Sequence, residues 1–361
     1  MDFGEEEDLF EWSLMEYIVI LVILIILGCI IFKLCRSRNS LVVVEEELNL
    51  EGKTILEALR FVAKNYPDRV ALVMKKNNGT WSEISYRDYF RNVRRFANGL
   101  KYWMGGGGVS VGILGCGGPA WFYAHLGCLL NLGVSKGVTE VSKGALGDID
   151  VLVVGDFKIA PEDIPGNIKL ILYYSPIEDD VIKKFSIPVV SFGAFMDSMD
   201  GVKIKKTRSV GEDDLVGEGV SHRDISVAVG SIVANLAGVI RRGERFLSCG
   251  PLDSIKGQIL DIYLPIYNVG TVWFAGVQVL TSLIEVRPSI FMGSAAVLAA
   301  MREKIESSYI YSTLPRLMSN KILNTVGLNK CKLIVLTTED TNIELKQFYN
   351  LLGLKLTEIL V

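Results

Sequence analysis

From Ile55 onward, short apolar runs of strand length alternate with longer segments whose apolar residues recur at helical spacing. Residues 70–74, 81–86, 109–114, 150–154, 168–173, 188–190, 245–248, 270–275 and 332–336 read as strands. Residues 55–68, 88–104, 119–132, 258–266 and 295–305 read as helices. In the second of these, Phe90, Val93, Phe96, Leu100 and Trp103 keep helical spacing, and the run from Gly105 to Gly108 ends it. Strands alternating with helices predict a parallel sheet covered on both faces, hence an α/β fold. Residues 225–240 are apolar, but Asn235 and the small residues there predict a buried helix and not a membrane span. No internal repeat or low-complexity linker interrupts the body, which reads as one α/β unit with room for two subdomains.

Composition supports a packed core. Half of the 361 residues are hydrophobic and 22% are charged, which excludes a disordered chain. With 38 basic against 41 acidic residues, the chain lacks the excess of bases that nucleic-acid binding needs. The acidity is local: Asp2, Glu5, Glu6, Glu7, Asp8, Glu11 and Glu16 stand at the start without one base, and the rest is slightly basic. Six scattered cysteines with no C-x-x-C pair predict free thiols in a reducing compartment, and only His125 and His222 are available beside them. No metal site is expected.

Residues 17–32, YIVILVILIILGCIIF, contain no charge. With a snorkelling Lys33 and the apolar residues on either side, the segment reaches the ~20 residues that span a hydrocarbon core. A signal peptide should open with bases; this run opens with acids and is followed by Lys33, Arg36 and Arg38. It reads as a transmembrane anchor over 17–35, after an acidic luminal or extracellular tail over 1–16. The positive-inside rule then places a linker over 36–52 and the body over 53–361 in the cytosol. The expected partner is a lipid bilayer, with the endoplasmic reticulum membrane as the default.

The residues alone announce little chemistry. There is no G-x-G-x-x-G after a strand and no G-x-x-x-x-G-K-[ST] loop. Cys116-Gly117-Gly118-Pro119 follows a strand and precedes a helix, as either a binding loop or a plain βα turn. His125 falls among apolar residues and reads as a core histidine, while Ser221 or Asp224 would cap the helix that begins beside His222. Asp261 interrupts an apolar stretch, and Glu212, Asp213 and Asp214 read as a solvated acidic loop.

Several ordered strings nevertheless resemble a known family. They are Thr80-Trp81-Ser82-Glu83-Ile84-Ser85-Tyr86, Pro119-Ala120-Trp121-Phe122-Tyr123-Ala124-His125, Gln258-Ile259-Leu260-Asp261-Ile262-Tyr263-Leu264-Pro265 and Gly327-Leu328-Asn329-Lys330-Cys331-Lys332. Together they resemble the adenylate-forming superfamily, and within it the long-chain acyl-CoA synthetases of the bubblegum type. The resemblance implies the N-terminal part of that enzyme fold, with parallel sheets flanked by helices. It also implies the family reaction, in which fatty acid, ATP and magnesium give an acyl-adenylate and coenzyme A then accepts the acyl group.

The departures fall where the family touches ATP. Its phosphate loop, of the form T-S-G-T-T-G-x-P-K-G-V before S-H, survives only as Gly217, Glu218, Gly219, Val220, Ser221 and His222, with Glu218 at the lysine position. Ser254 stands where the family's P-L-S-H-I has histidine, and residues 336–340 replace a small-residue stretch. The sequence reaches Val361 before the family's later motifs, so an incomplete domain without the C-terminal lid is expected. The reading is therefore a membrane-anchored, non-catalytic relative with no catalytic residue and no cofactor. Ser254, Asp261 and Tyr263 are its candidate acyl-side or nucleotide-side pocket. Fatty acid, acyl-CoA or an active synthetase are its expected partners. The alternatives are an active ligase using ATP, magnesium and CoA, and a gene fragment without function. The topology is testable at Asn78-Gly79-Thr80, the one N-x-[ST] sequon. Expressed in mammalian cells, the chain should show no glycosidase-sensitive mass at Asn78; a glycan there would reverse the orientation.

Overall fold

A capping box opens helix α1 (Ile55–Asn65): the Thr54 hydroxyl accepts from the Glu57 amide at 3.2 Å, and Glu57 Oε2 accepts from the Thr54 amide at 3.0 Å. The computed structural model describes residues 52–76, 78–155, 159–202, 209–217, 219–235, 239–276, 278–307, 319–336, 343–354 and 356–358. They belong to one unit, Leu50–Val361. The expected acidic tail, anchor and nearly all of the linker lie outside the described residues. Among those described, no helix is long and apolar enough to cross a membrane.

Strands β1 (Val70–Lys75) and β2 (Trp81–Ser85) form an antiparallel pair. Ser85 then caps helix α2 (Tyr86–Met104), and Gly105, at φ +75°, supplies the left-handed residue that stops it. Next comes a parallel sheet of five strands: β3 (Val111–Leu114), β4 (Ser135–Val138), β5 (Val151–Val154), β6 (Leu170–Tyr173) and β7 (Val189–Ser191), in the order β4-β3-β5-β6-β7. Helix α3 (Pro119–Leu130) connects β3 to β4, and helix α4 (Phe192–Asp197) packs Phe195 against Phe96 of α2.

The second sheet has seven strands. A short hairpin, β8 (Leu215–Gly217) and β9 (Val220–Ser221), and helix α5 (His222–Asn235) precede it. Its later strands are β10 (Arg245–Ser248), β11 (Thr271–Phe274), β12 (Ile290–Gly293), β13 (Leu333–Leu336) and β14 (Leu356–Glu358). The order is β14-β13-β12-β10-β11-β1-β2, so the earliest strands complete a sheet made otherwise from the second half of the chain. β1 lies parallel to β11, with Leu72 opposite Val272. Helix α6 (Ile255–Gln258) runs through a π turn (Ile259–Tyr263) into α7 (Leu264–Tyr267).

Helix α3 is buried almost all round and touches both sheets. One side lies on the five-stranded sheet, while Phe122 meets Phe274 of β11 edge to face at 4.9 Å. From α2, Tyr86 donates to the Gly270 carbonyl at 2.7 Å, beside β11. At the edge of the first sheet, a Cβ on Gly137 would strike the backbone of Asp253, so glycine lets β4 abut the 251–254 loop.

Three expectations need correction. The apolar stretch expected over 225–240 is helical in its described part, through Asn235, but only half-buried: it buries one side, through Ile225, Val229 and Ile232, while Val227 is 64% exposed. The helix expected over 258–266 begins at Ile255 and carries the π turn. Strands β4, β12 and β14 were not separated by the hydropathy pattern; β4, Ser-Lys-Gly-Val, is held by backbone pairing to β3 and has little apolar content of its own. The seam at Phe122, which is fully buried, is the stability test. Phe122→Ala should cost about 3–5 kcal/mol in denaturant unfolding, whereas Tyr102→Ala, at a 64% exposed position, should stay within about 0.5 kcal/mol.

Candidate functional site

Strands β10, β11 and β12 run parallel, and the loops at their carboxyl ends are where an open α/β sheet places ligands. Ser248 is the last residue of β10. Its hydroxyl donates to Asp261 Oδ2 at 2.6 Å. Asp261 is buried on the π turn, whose extra residue per turn changes the direction of the side chains that follow. Burial pushes its carboxyl up to about 7, against the opposing pull of the Ser248 hydroxyl and the Gly250 amide. Burial, with Asp261 nearby, also raises the Cys249 thiol.

Two residues along the same turn, Tyr263 donates to Gln258 Oε1 at 3.1 Å, and Gln258 Nε2 donates to the Leu252 carbonyl at 2.9 Å. His125 Nε2 lies 2.7 Å from the Tyr263 hydroxyl. Because that hydroxyl gives its proton to Gln258, we assign the histidine proton to Nε2, which makes His125 the donor. The unpartnered Nδ1 is then a lone pair and not an orphaned N–H. The chain of bonds runs from α3 to the 251–254 loop. Ser254 takes no part in it; its hydroxyl caps α6 at the Gly257 amide, 3.1 Å away. Gly117 packs beside Leu252 and the Ser248 hydroxyl, so the Cys116–Pro119 loop closes over this cluster.

The phosphate-loop remnant is the β8–β9 hairpin, with Gly219 at φ +82°; Glu218 lies outside the described residues. Ser221 donates its hydroxyl to Asp224 Oδ2 at 2.6 Å and accepts from the Asp224 amide at 3.2 Å. Ser221 and Asp224 therefore cap α5 together, where either was expected to do so alone. Asp214 Oδ2 accepts from the Gly211 amide at 2.7 Å. Arg223 reaches back to Glu212 at 3.0 Å and Asp213 at 3.2 Å. The acidic loop stays at the surface, as expected, with Arg223 held against two of its carboxylates. His222 is buried, and neither ring nitrogen has a partner. Burial pushes it down to about 4, with Asp214 and Glu57 pulling the other way. Burial, and then His222 close by, pushes His125 down to about 3.

The structure brings Asp261 and Tyr263 onto one buried turn; Tyr263 bonds His125, Asp261 bonds Ser248, and His222 lies near His125 without a hydrogen bond to it. Ser254 and the remaining loop residues stand apart. Sequence reasoning missed Ser248, Gln258 and Arg223; polar Gln258, three residues before Asp261 in an apolar stretch, was the available signal. Among the described residues, no group of three or more His, Cys, Asp or Glu could hold a metal ion.

Comparison with known proteins agrees with this layout. Residues 59–135 match the sequence profile of the AMP-binding enzyme family. The A domain of the carboxylic acid reductase from Segniliparus rugosus superposes with a TM-score of 0.68 at 12% identity, over 87% of this chain and 60% of that one. The fatty acyl-adenylate ligase from L. pneumophila gives 0.60 at 14% identity, over 85% and 53%. These likenesses support the adenylate-forming superfamily. Within it, the chain is similar to the bubblegum-type long-chain ligases. It is 26% identical over 303 residues to the long-chain-fatty-acid–CoA ligase ACSBG2 of Gallus gallus, covering 73% of this chain and 39% of that protein. To the long-chain-fatty-acid–CoA ligase heimdall of Drosophila melanogaster it is 24% identical over 292 residues, covering 70% and 43%. The chain therefore spans about two fifths of the length of these curated relatives.

The buried ionisable groups set opposing pH slopes. Asp261 stays protonated in the folded chain up to about 7, against an ordinary value of 3.8, so its contribution to stability is full at low pH and falls between those values. His125 and His222, held at about 3 and about 4 against 6.5, contribute stability that is full above 6.5 and falls as pH drops. Asp261→Asn keeps an acceptor for Ser248 and cannot ionise. It should raise the melting temperature at about pH 8 and lose that advantage near about pH 4, each unit of offset being worth about 1.4 kcal/mol. An equal difference at both pH values would remove Asp261 as the titrating group.

Proposed function

We propose that this chain is a membrane-anchored, non-catalytic relative of the long-chain fatty acid–CoA ligases. It binds fatty acyl chains or acyl-CoA at the cytosolic face of a bilayer, with the endoplasmic reticulum as its membrane, and pairs there with an active synthetase. The charge-free run over 17–32 and the bases after it support the anchor. Relatedness to the long-chain ligases supports the acyl ligand.

The observation that carries the reading is the self-satisfied phosphate loop. A triphosphate is held by free amides, hydroxyls and a countercharge. In this chain the Ser221 hydroxyl serves Asp224, the Gly211 amide serves Asp214, and Arg223 is held by Glu212 and Asp213. A phosphate entering the hairpin would meet carboxylates, and like charges at ~4 Å repel by about 1 kcal/mol per pair even in water. These groups do not fit ATP with magnesium, and no adenylation step is derived through them.

One observation favours the active ligase as a second reading: Arg223 offsets two of the loop's acids. The two readings separate in one assay of the full-length chain in detergent with labelled long-chain fatty acid, ATP, magnesium and CoA. The expected outcome is retention of the fatty acid with no acyl-CoA and no pyrophosphate exchange above a Glu218→Ala/His222→Ala control. Glu218→Lys should restore nothing. Exchange above the control would establish the ligase instead.

A further inference from the structure

An open groove of about 500 Å³ runs along the outer face of α1, away from the buried cluster around Asp261, and is lined by Lys53, Glu57, Arg60, Phe61, Lys64 and Glu212. Its three bases outnumber its two acids, and both acids already have partners. Glu57 Oε2 takes the amide and hydroxyl of Thr54 at 3.0 and 3.1 Å, and Glu212 takes Arg223 at 3.0 Å. The three bases have no ion pair among the described residues. Arg60 and Lys64 are one helical turn apart, an arrangement that repels and weakens a helix unless an anion lies between the charges. Between them Phe61 is 36% exposed, so the same wall offers an aromatic face. The groove therefore sets an excess of positive charge around an exposed ring, a surface complementary to an anionic headgroup with an apolar neighbour.

We infer that this groove receives the phosphate headgroup of an anionic phospholipid. Lys53, Arg60 and Lys64 face the phosphate, and the Phe61 ring lies at the boundary with the acyl chains, where aromatic residues sit in membranes. The inference rests on the anchored reading for the presence of lipid, but its test reads the groove separately. Phe61→Trp places a reporter in the groove. The full-length chain carrying it is incorporated into vesicles of brominated phosphatidylcholine, with or without phosphatidylserine, and its fluorescence is compared with that of the unsubstituted chain.

The added tryptophan should be quenched in the anionic vesicles. Adding Arg60→Glu and Lys64→Glu should weaken the lipid contact by about five-fold per residue. Equal quenching with and without phosphatidylserine, or none, overturns the inference. Loss of quenching on adding inorganic phosphate shows a free-phosphate site and overturns the lipid assignment. Hydrogen exchange over residues 57–65 of the unsubstituted chain, slowed by the anionic vesicles alone, gives the same reading without the reporter. If the chain washes off the vesicles in alkaline carbonate, the anchor fails; the groove is then read by the same quenching with vesicles added to the chain in solution.

Discussion

Two largely parallel sheets in one chain can share a core only where some element packs on both, and here that element is α3. It has almost no polar face, which is why Trp121, Phe122, Tyr123 and His125 are all buried on a single helix. The Phe122–Phe274 contact gives the seam its dispersion and apolar area, and the His125–Tyr263–Gln258–Leu252 hydrogen bonds give it direction. A buried polar chain of this kind tolerates few other arrangements, since any slip between the sheets would strand a donor or an acceptor in a dry interior. The position of Asp261, and hence of everything at the carboxyl ends of β10 to β12, follows from that seam.

Much of the fold was legible because its strands and helices carry different periods. The α2 stripe and the β5 run, Val-Leu-Val-Val, needed no neighbours to be read. What hydropathy could not show was pairing held by backbone alone, as in β4, or a change of helical pitch. The π turn around Asp261 leaves no mark on composition. The site was legible in part. His125 and Asp261 stood out as polar residues in apolar company, but Arg223 lies outside the motif it neutralises, and only three dimensions return it to Glu212 and Asp213.

The residues of the β8–β9 hairpin and those of the seam are held in different ways. The polar groups of the hairpin loop bond mostly to one another, although Gly217 abuts the Ser135 carbonyl of β4 and Val216 is buried. The core residues around His125 instead satisfy groups on other elements. The sequence strings that resemble the superfamily come largely from that core.

The pairing of β1 with β11 has a consequence for synthesis. β1 is made early, yet its parallel neighbour, with Val272 opposite Leu72, follows some 200 positions later. At ~5–20 residues per second, the β1–β2 ribbon emerges about 10–40 seconds before the strand that will cover its open edge. Throughout that interval the nascent chain presents an unpaired apolar strand near the ribosome. The first half must be held open, by a chaperone or by its own α2–α3 packing, until the second half supplies the rest of the sheet.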